Sequence, residues 1–133
     1  WYRYGVNVGL AFQIQDDFLD TFGESGATGK QVGGDILSDK KTLLWLTTEA
    51  NEEGRKALAP WVGVHPASGS NQGEAKITAV RAAMVAAGAN SEAQRRMAHH
   101  VEEAVSALRT LNLSPETSGW FEGLAQHVVS RSH

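Results

Sequence analysis

Apolar residues recur at helical spacing along most of this chain, and glycine-rich polar stretches interrupt them. From Arg3 to Thr21 every turn carries apolar side chains, which predicts a first helix. FGESGATGKQVGGD, Phe22 to Asp35, breaks the pattern with five glycines (Gly23, Gly26, Gly29, Gly33 and Gly34) and reads as a loop. A second helix is expected from near Leu37, carried on by Leu43, Leu44, Leu46 and Ala50. Asn51 is placed to cap a short helix through Trp61, with Pro60 disturbing its end. Val64 to Gly73 is a loop by composition. Helical spacing resumes at Glu74 and stops at Gly88, a usual residue just past a helix end. Ser91-Glu92-Ala93-Gln94 matches a capping box and is expected to open a helix to Leu111. Ser114-Pro115-Glu116 opens the last helix, which reaches Ser130. No stretch has a convincing strand period, so the fold class is all-α, in one domain without repeat or linker.

Composition narrows the function. The 133 residues carry a formal charge of -3, which speaks against a nucleic-acid partner and a polybasic membrane anchor. The absence of cysteine removes disulfides, thiolate metal sites and cysteine nucleophiles, and it fits a cytoplasmic location. No run approaches the ~18 apolar residues of a membrane span, so no stable membrane insertion is expected. The apolar helical pattern is already running at Trp1, and the chain is expected to be the C-terminal piece of something longer.

One stretch departs from ordinary amphipathic design. FQIQDDFLD, Phe12 to Asp20, sets three carboxylates into an otherwise apolar helix. At about 100° per residue, Gln13, Asp16, Asp17 and Asp20 share an arc of roughly 100°, flanked by Val8, Ala11, Phe12, Phe18 and Leu19. Ionised carboxylates so close together repel, and burying them unpaired costs several kcal/mol each. A solvated acidic face is the plain explanation, but the flanking aromatics favour a positive partner. Mg²⁺ suits it, because that ion takes one or two carboxylates and completes its shell with water and phosphate oxygens.

The following loop supplies cations. Lys30 follows Gly29, and Lys40 and Lys41 follow Gly33-Gly34-Asp35, an arrangement suited to phosphate oxygens. A nucleoside-triphosphatase phosphate loop is excluded, since Glu24 stands where its first glycine belongs and Gln31 follows the lysine. His99 and His100 are adjacent, point about 100° apart and lack a ligand spacing, so they read as helix surface or as satisfied interface histidines. Trp1, Trp45, Trp61 and Trp120 read as core or interface anchors, and Arg131 as part of a frayed end.

The whole phrase GLAFQIQDDFLDTFGESGATGKQVGGDILSDKKTLL, Gly9 to Leu44, resembles the second aspartate-rich region of the trans-isoprenyl diphosphate synthases, or polyprenyl synthetases. The resemblance implies antiparallel helices forming the C-terminal half of an isoprenoid-synthase-type bundle. It implies that Asp16, Asp17 and Asp20 hold Mg²⁺, with Asp16, Asp17 and Lys30 in catalytic roles. Gln13, Lys30 and Lys40 would contact the diphosphate or its metal shell. The substrates would be an allylic diphosphate and isopentenyl diphosphate, the product a short- or medium-chain trans-polyprenyl diphosphate, and the full-length enzyme a homodimer. Residues 1–133 contain no other DDxxD. They would therefore supply one metal face, with the N-terminal half and its first motif absent, and be inactive alone. Two alternatives stand beside this reading: a noncatalytic regulatory homologue, and a helical interaction module whose acidic stripe docks a basic partner.

Overall fold

The computed structural model describes residues 1–23 and 32–130. Every regular element among them is a helix: α1 (Tyr2–Phe22), α2 (Gly34–Leu37), α3 (Leu43–Ala50), α4 (Glu52–Leu58), α5 (Asn71–Ala86), α6 (Ala89–Arg109) and α7 (Pro115–Ser130). They fall into two compact units, residues 1–16 with 94–130, and residues 17–93.

In the first unit, α6 turns a stripe of buried residues inward at Met97, Ala104, Val105, Ala107 and Leu108, the spacing of one helix face. The alanines leave room for Tyr4, which packs with Ala104, Ala107, Leu108 and Ala125. The Tyr4 hydroxyl donates to the Phe121 carbonyl at 2.7 Å, so its one polar atom is satisfied in the core. Burial raises that phenol above its ordinary pKa. Gln15 is also buried and donates to the Val129 carbonyl at 3.1 Å. Ser114 caps α7 by accepting from the Thr117 N–H, with Pro115 at the first helical position as expected.

In the second unit, α5 packs against α2, α3 and α4. Ile36, Leu37, Leu44, Trp45, Leu58, Ile77, Val80 and Met84 form its buried interior. The single helix expected from Leu37 to Ala50 is two elements. Asp39 adopts a left-handed conformation (φ 56°), and Thr42 starts α3 afresh by accepting from the Trp45 N–H at 3.2 Å. The short helix capped by Asn51 ends at Leu58 rather than Trp61, with Pro60 just beyond it lacking the N–H that would continue the helical hydrogen bonds. Next, α5 begins earlier than Glu74, at Asn71, where Ser70 accepts from the Gly73 N–H at 3.0 Å. Gly88 (φ 75°) ends the α5 turn as expected, yet α6 follows it at once at Ala89. Ser91 therefore lies inside α6 instead of capping it.

Candidate functional site

The acidic stripe stands at the C-terminal end of α1, where a helix leaves its last carbonyls without internal partners. Two groups of the second unit meet them. The Gly33 N–H donates to the Asp20 carbonyl at 2.7 Å, and the Arg81 guanidinium donates to the Thr21 carbonyl. A cation at a helix C-terminus also opposes the negative end of the helix dipole.

Gly33 has a φ of 94°, and a Cβ there would lie 2.6 Å from Ile77 Cδ1. Glycine thus serves both the backbone conformation and the close approach of the loop to α5. The turn it makes sets Asp35 so that its N–H donates to Asp20 Oδ2 at 2.9 Å. Lys40 then comes back over the acids. Its Nζ donates to Asp17 Oδ1 at 3.2 Å and stands 3.8 Å from Asp35 Oδ1. The hydrogen bond to Asp17, followed by the charges of Asp17 and Asp35, holds the Lys40 ammonium above its ordinary pKa. The side chain of Asp17 is 14% exposed and that of Lys40 54%, so the pair is open to solvent on the lysine side.

Adjacent to Lys40, Asp39 accepts from the Gly63 N–H at 2.7 Å through Oδ2 and from Lys76 Nζ at 2.6 Å through Oδ1. Burial alone would raise the Asp39 carboxyl. The hydrogen bonds from Lys76 and Gly63, with the Lys76 charge, outweigh it and hold the group below the usual carboxylate range.

Of the predicted site residues, Asp17, Asp20 and Lys40 are therefore gathered in one unit, with Asp35 between them. Lys41 turns away, its Nζ 4.8 Å from the Trp45 ring centroid. Gln13 is exposed and Asp16 half-buried, both in the first unit's share of α1. Lys30 lies outside the described residues. Sequence reading gave no role to Asp35, Asp39, Lys76 or Arg81. Lys76 did carry a signal, because it occupies a core position in the α5 series Lys76, Ile77, Val80, Ala83 and Met84.

Among the described residues no three His, Cys, Asp or Glu side chains converge as a metal cage. The donor set nonetheless fits Mg²⁺ in kind. Every acidic donor is a carboxylate oxygen, and that ion uses one or two carboxylates beside water and phosphate oxygens.

The sequence model of the polyprenyl synthetase family matches residues 1–79. The (2E,6E)-farnesyl diphosphate synthase of Mycobacterium tuberculosis (strain H37Rv) is 29% identical over 130 residues, 96% of this chain and 36% of that protein. The geranylgeranyl pyrophosphate synthase of Geoglobus acetivorans is 31% identical over 132 residues, 99% of this chain and 38% of that protein. A crystal structure of a geranylgeranyl pyrophosphate synthase matches with a TM-score of 0.89 and 30% identity, covering 99% of this chain and 41% of that one. The Corynebacterium glutamicum geranylgeranyl pyrophosphate synthase, complexed with isoprenyl diphosphate and magnesium, matches with a TM-score of 0.80 and 28% identity, over 97% of this chain and 36% of that one. The chain spans a little over a third of the length of these curated relatives.

Proposed function

The chain belongs to the polyprenyl synthetase family, and from that membership we propose that it supplies the second metal- and diphosphate-binding face of a trans-prenyltransferase. The full-length protein condenses isopentenyl diphosphate with an allylic diphosphate to a short- or medium-chain trans-polyprenyl diphosphate, and acts as a homodimer. The chain is the C-terminal part of that synthase domain. It has one aspartate-rich motif, so it is inactive alone.

The observation that carries this reading is the meeting of Asp17, Asp20, Asp35 and Lys40 on the family phrase. Asp17, with Asp16 and Asp20 of the same helix, would hold Mg²⁺. When bound, the metal supplies charge neutralisation at the diphosphate as the allylic C–O bond breaks. Lys40, hydrogen-bonded to Asp17 and open to solvent, would meet a diphosphate oxygen and stabilise the same developing negative charge. Lys30 and Gln13 take diphosphate and metal-shell contacts. The C–O electron pair leaves with the diphosphate, the double bond of isopentenyl diphosphate forms the new C–C bond, and the released diphosphate takes up the proton lost as the alkene is regenerated.

The test is magnesium-dependent condensation by the full-length protein beside its Asp16→Ala and Asp17→Ala forms. Turnover is expected to fall by two or more orders of magnitude in both while helicity is kept. Unchanged turnover in both, or no condensation by the unaltered protein, would overturn the proposal and leave the stripe as a docking surface.

A further inference from the structure

Lys76 is a fully buried lysine on α5 that the proposed chemistry does not use. Its ammonium has three protons and three acceptors: Asp39 Oδ1 at 2.6 Å, the Val64 carbonyl at 2.5 Å, and the Leu37 carbonyl at 3.4 Å. These come from two different stretches, Leu37 at the end of α2 with Asp39 in the α2–α3 connection, and Val64 in the α4–α5 connection. Asp39 completes the tie through Gly63, and His65 adds a ring contact to the Leu37 carbonyl at 3.0 Å. Burying an ammonium among apolar neighbours is costly unless every proton is matched, and here every proton is.

What the tie holds is the backbone one residue from Lys40. Asp39 sits at φ 56°, a conformation that a non-glycine residue adopts at a cost unless surroundings impose it. The left-handed turn reverses the chain, so the Lys40 N–H donates to the Asp35 carbonyl at 2.9 Å while its side chain returns to Asp17. We propose that Lys76 and Asp39 are positioning residues, a buried ion pair that fixes the turn which presents Lys40 to Asp17. Their service to diphosphate binding rests on the function proposed above; their hold on the turn does not.

Two variants of the full-length chain test this, Lys76→Met and the milder Asp39→Asn. Amide hydrogen exchange reads the turn directly. Residues 38–42 and 62–65 are expected to exchange about tenfold faster or more in both variants, with α7 unchanged. Unchanged exchange at residues 38–42 would overturn the proposal, and if Lys76→Met does not fold, Asp39→Asn decides.

The second readout is binding of inorganic pyrophosphate in the presence of Mg²⁺. Each variant is expected to bind roughly tenfold more weakly, and Lys76→Met to add less than about twofold once Lys40→Met is present. Full additivity of the two losses would mean that Lys76 acts on folding in general and not through Lys40. If the unaltered protein binds no pyrophosphate with Mg²⁺, the diphosphate reading fails by itself. The exchange data still decide whether Lys76 holds the turn.

Discussion

Asp20 shows how one residue of a sequence motif divides its work. Its carbonyl takes the Gly33 N–H and its carboxylate takes the Asp35 N–H, so it ties the end of α1 to the start of α2. The acidic stripe was legible because carboxylates in an apolar helix are conspicuous; the partner that each one meets was not. Gly33 is the counterpart residue. Gly33→Ala must place a side chain at φ 94° and against Ile77, and is expected to cost about 1–3 kcal/mol. The urea midpoint measures this, and Ile77→Val should recover part of the loss by relieving the contact.

His100 offers a prediction of the opposite kind. Its ring nitrogen Nδ1 meets Asn7 Oδ1 at 2.8 Å. Burial first, then the charges of His99 and Arg96, hold its pKa below the ordinary value, against the pull of Glu103. The unfolded chain therefore binds the proton more readily than the folded one. This contribution to stability is full above the unfolded value of about 6.5 and is lost as pH falls through the folded value. Melting temperatures measured from pH 7.5 down to 5 should decline in the original protein, and less steeply in His100→Gln.

At the scale of elements, apolar spacing located the helices but misjudged several of their ends. Leu37 and Leu44 are seven apart, the spacing of one helix face, and nothing in that rhythm reveals the turn between them. The interruption comes from Asp39, whose conformation depends on Lys76, distant in sequence, and from the Thr42 cap. Ser91-Glu92-Ala93-Gln94 fails for a related reason: the Gly88 turn already starts α6, with the Glu92 N–H donating to the Gly88 carbonyl at 3.0 Å. Thr42→Ala should cost about 1 kcal/mol through loss of the α3 cap, and Thr42→Ser little, as read by the same urea midpoint. Asp39 sets an acid limit on the tie between the loops. Its folded pKa is depressed, so its stabilisation is present above the unfolded value and is lost as pH falls through the folded one.

At the scale of the molecule, the helical class and the family phrase were both open to sequence reading, since each depends on local pattern. Placement of Lys40, Asp35 and Lys76 was not, because it depends on residues 15 to 39 positions apart meeting in space. On the function proposed, the α1 acids and Lys40 form a face completed by metal and diphosphate together. The most direct test is calorimetric titration of Mg²⁺ into this chain with and without inorganic pyrophosphate, beside Asp17→Asn. Binding that is mutual must be reciprocal, so pyrophosphate should tighten Mg²⁺ binding by about tenfold or more, and Asp17→Asn should abolish the gain. Equal Mg²⁺ affinity with and without pyrophosphate, or a gain that survives Asp17→Asn, would contradict the account.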